Sequence, residues 1–141
     1  MTTTAAAPSA VNHPPHYQGK GGIEAITVIE AMFDLAGHAP NAVKYLLRYR
    51  AKGRPAEDLG KAKWYVDRLI SAKGRIDPQP TLGMDHLARS ADAFDLTGHV
   101  RDAFAHLSDA VTARAEDRYR AWLRNCSHSL ERAIAEIERR N

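Results

Sequence analysis

The chain has 141 residues, 26% of them charged and 44% apolar, with a formal net charge of +3. This is the composition of one globular domain, long enough to bury a core without disulfide or metal staples. Cys126 is the single cysteine, which excludes an intramolecular disulfide and a cysteine-based zinc site. No apolar run approaches the roughly 18 residues that a membrane-spanning helix needs. The opening MTTTAAAPSA lacks the basic stretch and apolar core of a secretory signal, so the expected setting is the cytoplasm, with no membrane partner.

Residues 1–12 are small, polar and aperiodic and read as a flexible arm. In His13-Pro14-Pro15-His16-Tyr17 the two prolines favour an extended, polyproline-like segment. Three glycines between Gln18 and Gly22 predict a flexible loop, and a helix is expected from about Ile23 to the stop at Gly37. Asn41 reads as the N-cap of a second helix that carries Val43, Leu46 and Leu47 and closes at a left-handed Gly53. Pro55 suits the first turn of a third helix, with Glu57 and Asp58 complementing its positive end and an apolar stripe at Leu59, Ala62, Val66, Leu69 and Ile70. The segment 76–81, with Pro78 and Pro80, is the expected linker to a C-terminal helical region, 82–141. There Leu82, Leu87, Ala91 and Phe94 suggest one helix, and Val100, Ala103, Phe104, Leu107 and Val111 a second. Tyr119, Trp122, Cys126, Leu130, Ala133 or Ile134, and Ile137 suggest a long third. No stretch alternates as a half-buried strand does, so the fold class is all-α, a small bundle of about six helices behind a Pro-rich arm. The last helix is expected either to close the bundle or to form a homo-oligomer seam.

Charge is segregated along the chain. Between Asn41 and Arg75 ten Lys or Arg face only Glu57, Asp58 and Asp67, so this segment carries about +7 while the remainder sums to about −4. Such asymmetry points to an anionic partner. A helix ending near Gly53 and another starting near Pro55 would set Arg50, Lys52 and Arg54 around a turn, beside the free amides of a helix start, which is a reasonable phosphate cradle. The bland reading is a solvated basic face with Lys61 paired to Glu57 and Lys63 to Asp67 at helical spacing. The G-x-x-x-x-G-K-[ST] phosphate loop is absent.

His13 and His16 lie three apart, but no further ligand cluster accompanies them, and no metal site is expected. Tyr17 suits base stacking or anchoring of the arm on the core. Glu24, Glu30 and Asp34 lack the paired E-x-x-E motif of the all-α nucleotide pyrophosphohydrolases, so a magnesium requirement is not evident.

Taken in order, H-P-x-H-Y, G-I-E, N-x-x-K-Y-L-x-R, K-G and E-D-L-x-K-A-x-W-Y-x-x-R-L-I span residues 12–70. This series resembles the SaV-like family of small bacteriophage proteins, domain of unknown function 3310, and residues 13–75 are assigned to it. The resemblance extends to a domain in a podophage nucleotide kinase that phosphorylates deoxynucleoside monophosphates without a phosphate loop. It implies a phage-encoded nucleotide-binding protein of the host cytoplasm, with deoxynucleoside monophosphate kinase as the activity and a nucleoside triphosphate as donor. On that reading Lys44, Arg48, Lys52 and Arg54 contact phosphate, His13, Tyr17, Gly53 and Lys61 complete the substrate site, and His16 or Glu24 positions the acceptor. The alternative is a non-enzymatic module whose cations grip nucleic acid or an acidic host protein.

Overall fold

The computed structural model describes residues 19–23, 38–72 and 84–140. Among these residues a 3-10 turn, Lys20–Gly22, precedes five α-helices: α1 (His38–Arg48), α2 (Pro55–Ser71), α3 (Met84–Ala93), α4 (Gly98–Thr112) and α5 (Glu116–Arg140). No strand occurs among the described residues, and the fold is all-α. The arm, the His13–Tyr17 segment, the helix expected after Ile23 and the linker 76–81 lie outside the described residues.

Helix α5 runs along both α2 and α4, and α1 packs on α2. The stripes that put these helices together recur at three- and four-residue steps. Leu59, Ala62, Val66 and Leu69 of α2 are fully buried, as are Ala103, Leu107 and Ala110 of α4 and Tyr119, Leu123, Cys126 and Leu130 of α5. One continuous core from α1 to α5 results. The apolar row of α5 is therefore covered within the chain itself. Leu123, which the expected row skipped, is among its largest fully buried side chains. Cys126 is a core residue, and burial pushes its thiol pKa well up, which keeps it neutral.

Polar contacts tie the helices where the core ends. Ser127 donates from α5 to Asp67 Oδ1 of α2 at 2.7 Å, and Lys63 holds the other oxygen, Oδ2, at 2.7 Å. That hydrogen bond raises the Lys63 pKa above its ordinary value. Arg120 of α5 donates to the carbonyls of Ile70 and Ala72, acceptors that the end of α2 leaves without helical partners.

Three local expectations are corrected. Helix α1 is already formed at His38, so Asn41 lies inside it and is not its N-cap. Pro40 is tolerated there because first-turn N–H groups have no helical acceptor anyway. Helix α1 also stops at Arg48, five residues before Gly53, and Tyr49–Lys52 form a turn closed by Ala51 N–H donating to Arg48 O. The glycine loop at 19–22 is a defined turn. Lys20 pairs with Asp95 at 2.7 Å, and Gly19 sits so close to Phe94 that a Cβ there would lie 2.7 Å from the ring.

Replacing Leu123 by Ala removes a fully buried side chain of α5 from the core. It should cost about 2–5 kcal/mol in urea unfolding, whereas Arg124→Ala on the exposed side of the same helix should stay within about 0.5 kcal/mol.

Candidate anion-binding site

The basic turn is built by two sequence signals. Gly53 adopts φ +72°, a left-handed conformation that glycine takes without Cβ strain, and Pro55 starts α2 at its first position. The reversal between them folds the end of α1 onto the first turn of α2. Arg48 thereby reaches Asp58, with Nε 3.6 Å from Oδ2. Both groups are largely removed from water, the side chains being 12% and 4% exposed. Asp58 Oδ2 accepts no hydrogen bond among the described residues, so the guanidinium charge is what compensates it.

Above this pair opens a cleft of about 260 Å³ lined by Arg48, Lys52, Arg54, Glu57, Asp58 and Lys61. Arg54 pairs loosely with Glu57 at 3.6 Å, both exposed, an interaction that contributes little. No carboxylate among the described residues pairs with Lys52 or Lys61. The pairing expected between Lys61 and Glu57 does not form, because Glu57 turns back toward Arg54. Lys63 pairs with Asp67 as expected and adds Glu131 at 3.6 Å.

Lys61 connects the cleft to an aromatic face. Its ammonium lies 5.4 Å from the centroid of the Tyr45 ring, where Lys44 Nζ and the Arg48 guanidinium each approach to 4.7 Å. Three cations around one ring is a cation–π arrangement that also concentrates positive potential. Tyr45 stacks on Tyr65 across the α1–α2 interface, with centroids 6.2 Å apart and planes 15° from parallel. Tyr65 in turn meets His38 at 5.7 Å and the edge of Trp64 at 5.1 Å. Trp64 is 54% exposed, and the Arg68 guanidinium sits 5.2 Å from its ring.

The structure thus brings Lys44, Arg48, Lys52, Gly53, Arg54 and Lys61 to one face. His13, His16, Tyr17 and Glu24 lie outside the described residues. Arg50 leaves the group: it donates to Asp95 O and to Thr97 Oγ1, at 3.2 Å for the latter, on the α3–α4 connection. Tyr49 goes with it and is buried beside Arg50, where desolvation raises its phenol pKa. Sequence reasoning missed Asp58 as the partner of Arg48, and it missed Arg68 and His38 as members of the aromatic face. For Arg68 the available signal was its helical spacing from Lys61, Trp64 and Tyr65; Asp58 and His38 had none in the sequence. No group of three or more His, Cys, Asp or Glu placed to hold a metal ion occurs among the described residues.

Comparison with known proteins places this turn inside a shared unit. Residues 11–67 match the model of a family described as a protein of unknown function, DUF3310. This is the domain of unknown function that the ordered motifs resemble, and the match takes in α1, the turn and the cleft. No curated protein and no solved structure matches the chain.

Removing one member of a largely buried pair leaves the other charge uncompensated. Arg48→Ala and Asp58→Ala should each destabilise by about 2–4 kcal/mol in denaturant titrations, and the double variant by clearly less than their sum. Lys52→Ala and Lys61→Ala, on the rim, should each change stability by no more than about 0.5 kcal/mol.

Proposed function

We propose that this protein binds nucleotides, with phosphate held by Lys52, Arg54 and Lys61 and the base lying against the Tyr45 side of the cleft. The observation that carries this reading is the convergence of Lys44, Arg48 and Lys61 on the Tyr45 ring beside a cleft with uncompensated lysines. A phosphate needs cations that lack a carboxylate partner, and a base needs an accessible π-face. Lys52 on the turn and Lys61 on α2 supply the first, and the Tyr45 ring of α1, covered by cations at rest, would supply the second as those cations move to phosphate. Arg48 acts differently from the rim cations. Its charge is matched by Asp58, so it positions the Tyr45 ring and the turn, and Lys52 and Lys61 supply the free charge.

The resemblance to a phage family that extends to a podophage nucleotide kinase supports a more specific reading. The ligand would be a deoxynucleoside monophosphate acting as phosphoryl acceptor, with a nucleoside triphosphate as donor, in a phage-encoded enzyme of the host cytoplasm. Phosphoryl transfer demands mainly alignment and neutralisation of charge, which a cation cluster supplies. His16 and Glu24 remain the sequence-based candidates for orienting the acceptor. A second reading, a binding module without catalysis, is favoured by the exposed Trp64, which lies beyond the cleft.

Isothermal titration with deoxynucleoside mono- and triphosphates should show saturable binding. The Lys52→Ala/Lys61→Ala variant should weaken it at least tenfold, the equivalent of about 1.4 kcal/mol for lost charged hydrogen bonds, while Arg124→Ala leaves it unchanged. Equal affinity in the wild type and the double lysine variant would overturn the site. Formation of a deoxynucleoside diphosphate from monophosphate and triphosphate tests the kinase reading on its own.

A further inference from the structure

We infer that the ligand of this face is a single-stranded nucleic acid, which runs from the basic turn along the outer side of α2. The inference rests on the nucleotide-binding reading above and names its ligand as a strand of several nucleotides.

Three observations carry it. First, the cationic and aromatic groups form a path longer than one nucleotide. From Arg54 to Arg68 the outer side of α2 covers about 21 Å at ~1.5 Å per residue. That length accommodates on the order of four nucleotides, the low end of single-strand footprints. Second, the path alternates charge with rings: Lys52 and Lys61 at the cleft, Tyr45 and Tyr65 stacked beside it, then Trp64 under Arg68. Third, Trp64 is the large hydrophobic residue left exposed among the described residues, at 54%. A mononucleotide seated in a 260 Å³ cleft gives Trp64 nothing to bind, whereas the next base along a strand would cover it.

The chemistry favours unpaired bases. Stacking needs bases free of a duplex, and every base presents a π-face, so the path reads no sequence. Phosphates two or three nucleotides from the cleft would meet Arg68, which has no carboxylate partner among the described residues.

The test measures affinity by fluorescence anisotropy for end-labelled oligothymidylates of one to eight nucleotides, and for a duplex, using the full-length chain. Competition by unlabelled thymidine monophosphate gives the mononucleotide affinity. Affinity should rise with length and level off near four nucleotides, with a log–log salt slope of about −2 to −3 for three to four neutralised phosphates. Trp64→Ala should weaken the octamer at least tenfold and the mononucleotide less than twofold, and Arg68→Ala should flatten the salt slope by about 0.7. Trp64 lies on the surface, so its removal leaves the core intact, which circular dichroism would verify. Equal affinity for monomer and octamer, or an unchanged octamer affinity in Trp64→Ala, would overturn the inference and leave the nucleotide site standing. Duplex bound as tightly as single strand would also overturn it, since phosphate alone would then account for binding. Failure of both monomer and octamer to bind would remove the nucleotide reading together with the inference.

Discussion

The buried pair between Arg48 and Asp58 is the constraint on which this face of the molecule depends. A charge pair held away from water repays its desolvation only when its geometry is fixed. Here one partner closes α1 and the other opens α2, ten residues apart in the chain and 3.6 Å apart in space. Fixing them fixes the turn between the helices, including the left-handed Gly53 and the start at Pro55. It also sets the approach of α1 to α2 that lays Tyr45 on Tyr65. The core side of α2 adds the second restraint, since Leu59, Ala62, Val66 and Leu69 have no freedom to rotate away from α1 and α5. Its opposite side is then forced outward, with Lys61, Trp64 and Arg68 on it.

How much of this was legible depended on the range of the interaction. The start and the buried face of helix α2 were readable because their signals are local: proline at the first position, two acids in the first turn and an apolar stripe. Helix α4 was readable for the same reason, and all five of its predicted stripe residues are buried. The fate of single cations was not readable. Arg50 sits between Arg48 and Lys52 in sequence, yet it serves the α3–α4 connection, because the chain has already left helical geometry at Tyr49. That same exit separates Tyr49 from Tyr45, which continuous helical spacing would have placed on one face. Lys61 and Glu57 satisfy the i,i+4 rule and still do not pair, since Glu57 engages Arg54 at the start of the helix instead. Leu123 escaped the predicted row because Trp122 beside it competed for the same slot. Only the packing of α5 between two neighbours shows that both are used, Leu123 fully and Trp122 in part.

The charge count therefore overstates the available field while understating its direction. Of the ten cations in the +7 segment, Arg48 is neutralised by Asp58 and Lys63 by Asp67 and Glu131, and Arg50 is turned to another face. Lys73 and Arg75 lie outside the described residues. What remains is Lys44, Lys52, Lys61 and Arg68, with Arg54 weakly engaged, and these five do not scatter. They line one side of α2 and the adjoining end of α1, interleaved with the rings of Tyr45, Tyr65 and Trp64.

That interleaving bears on strength as well as on identity. In the free protein Lys44, Lys61 and Arg68 already rest against aromatic rings, each contact worth about 0.5–1 kcal/mol at an exposed site. A phosphate that draws one of these cations away gains a charge-assisted hydrogen bond and loses that contact, while a base that takes the vacated ring restores the π-interaction. Phosphate or base alone gains less than the two together. On the proposed reading, such a surface would discriminate against simple anions such as inorganic phosphate or acidic side chains, not by excluding them but by giving them half of the exchange. The proposed preference for a ligand that alternates negative charge with flat rings would thus arise from cation–ring contacts already present within the face itself.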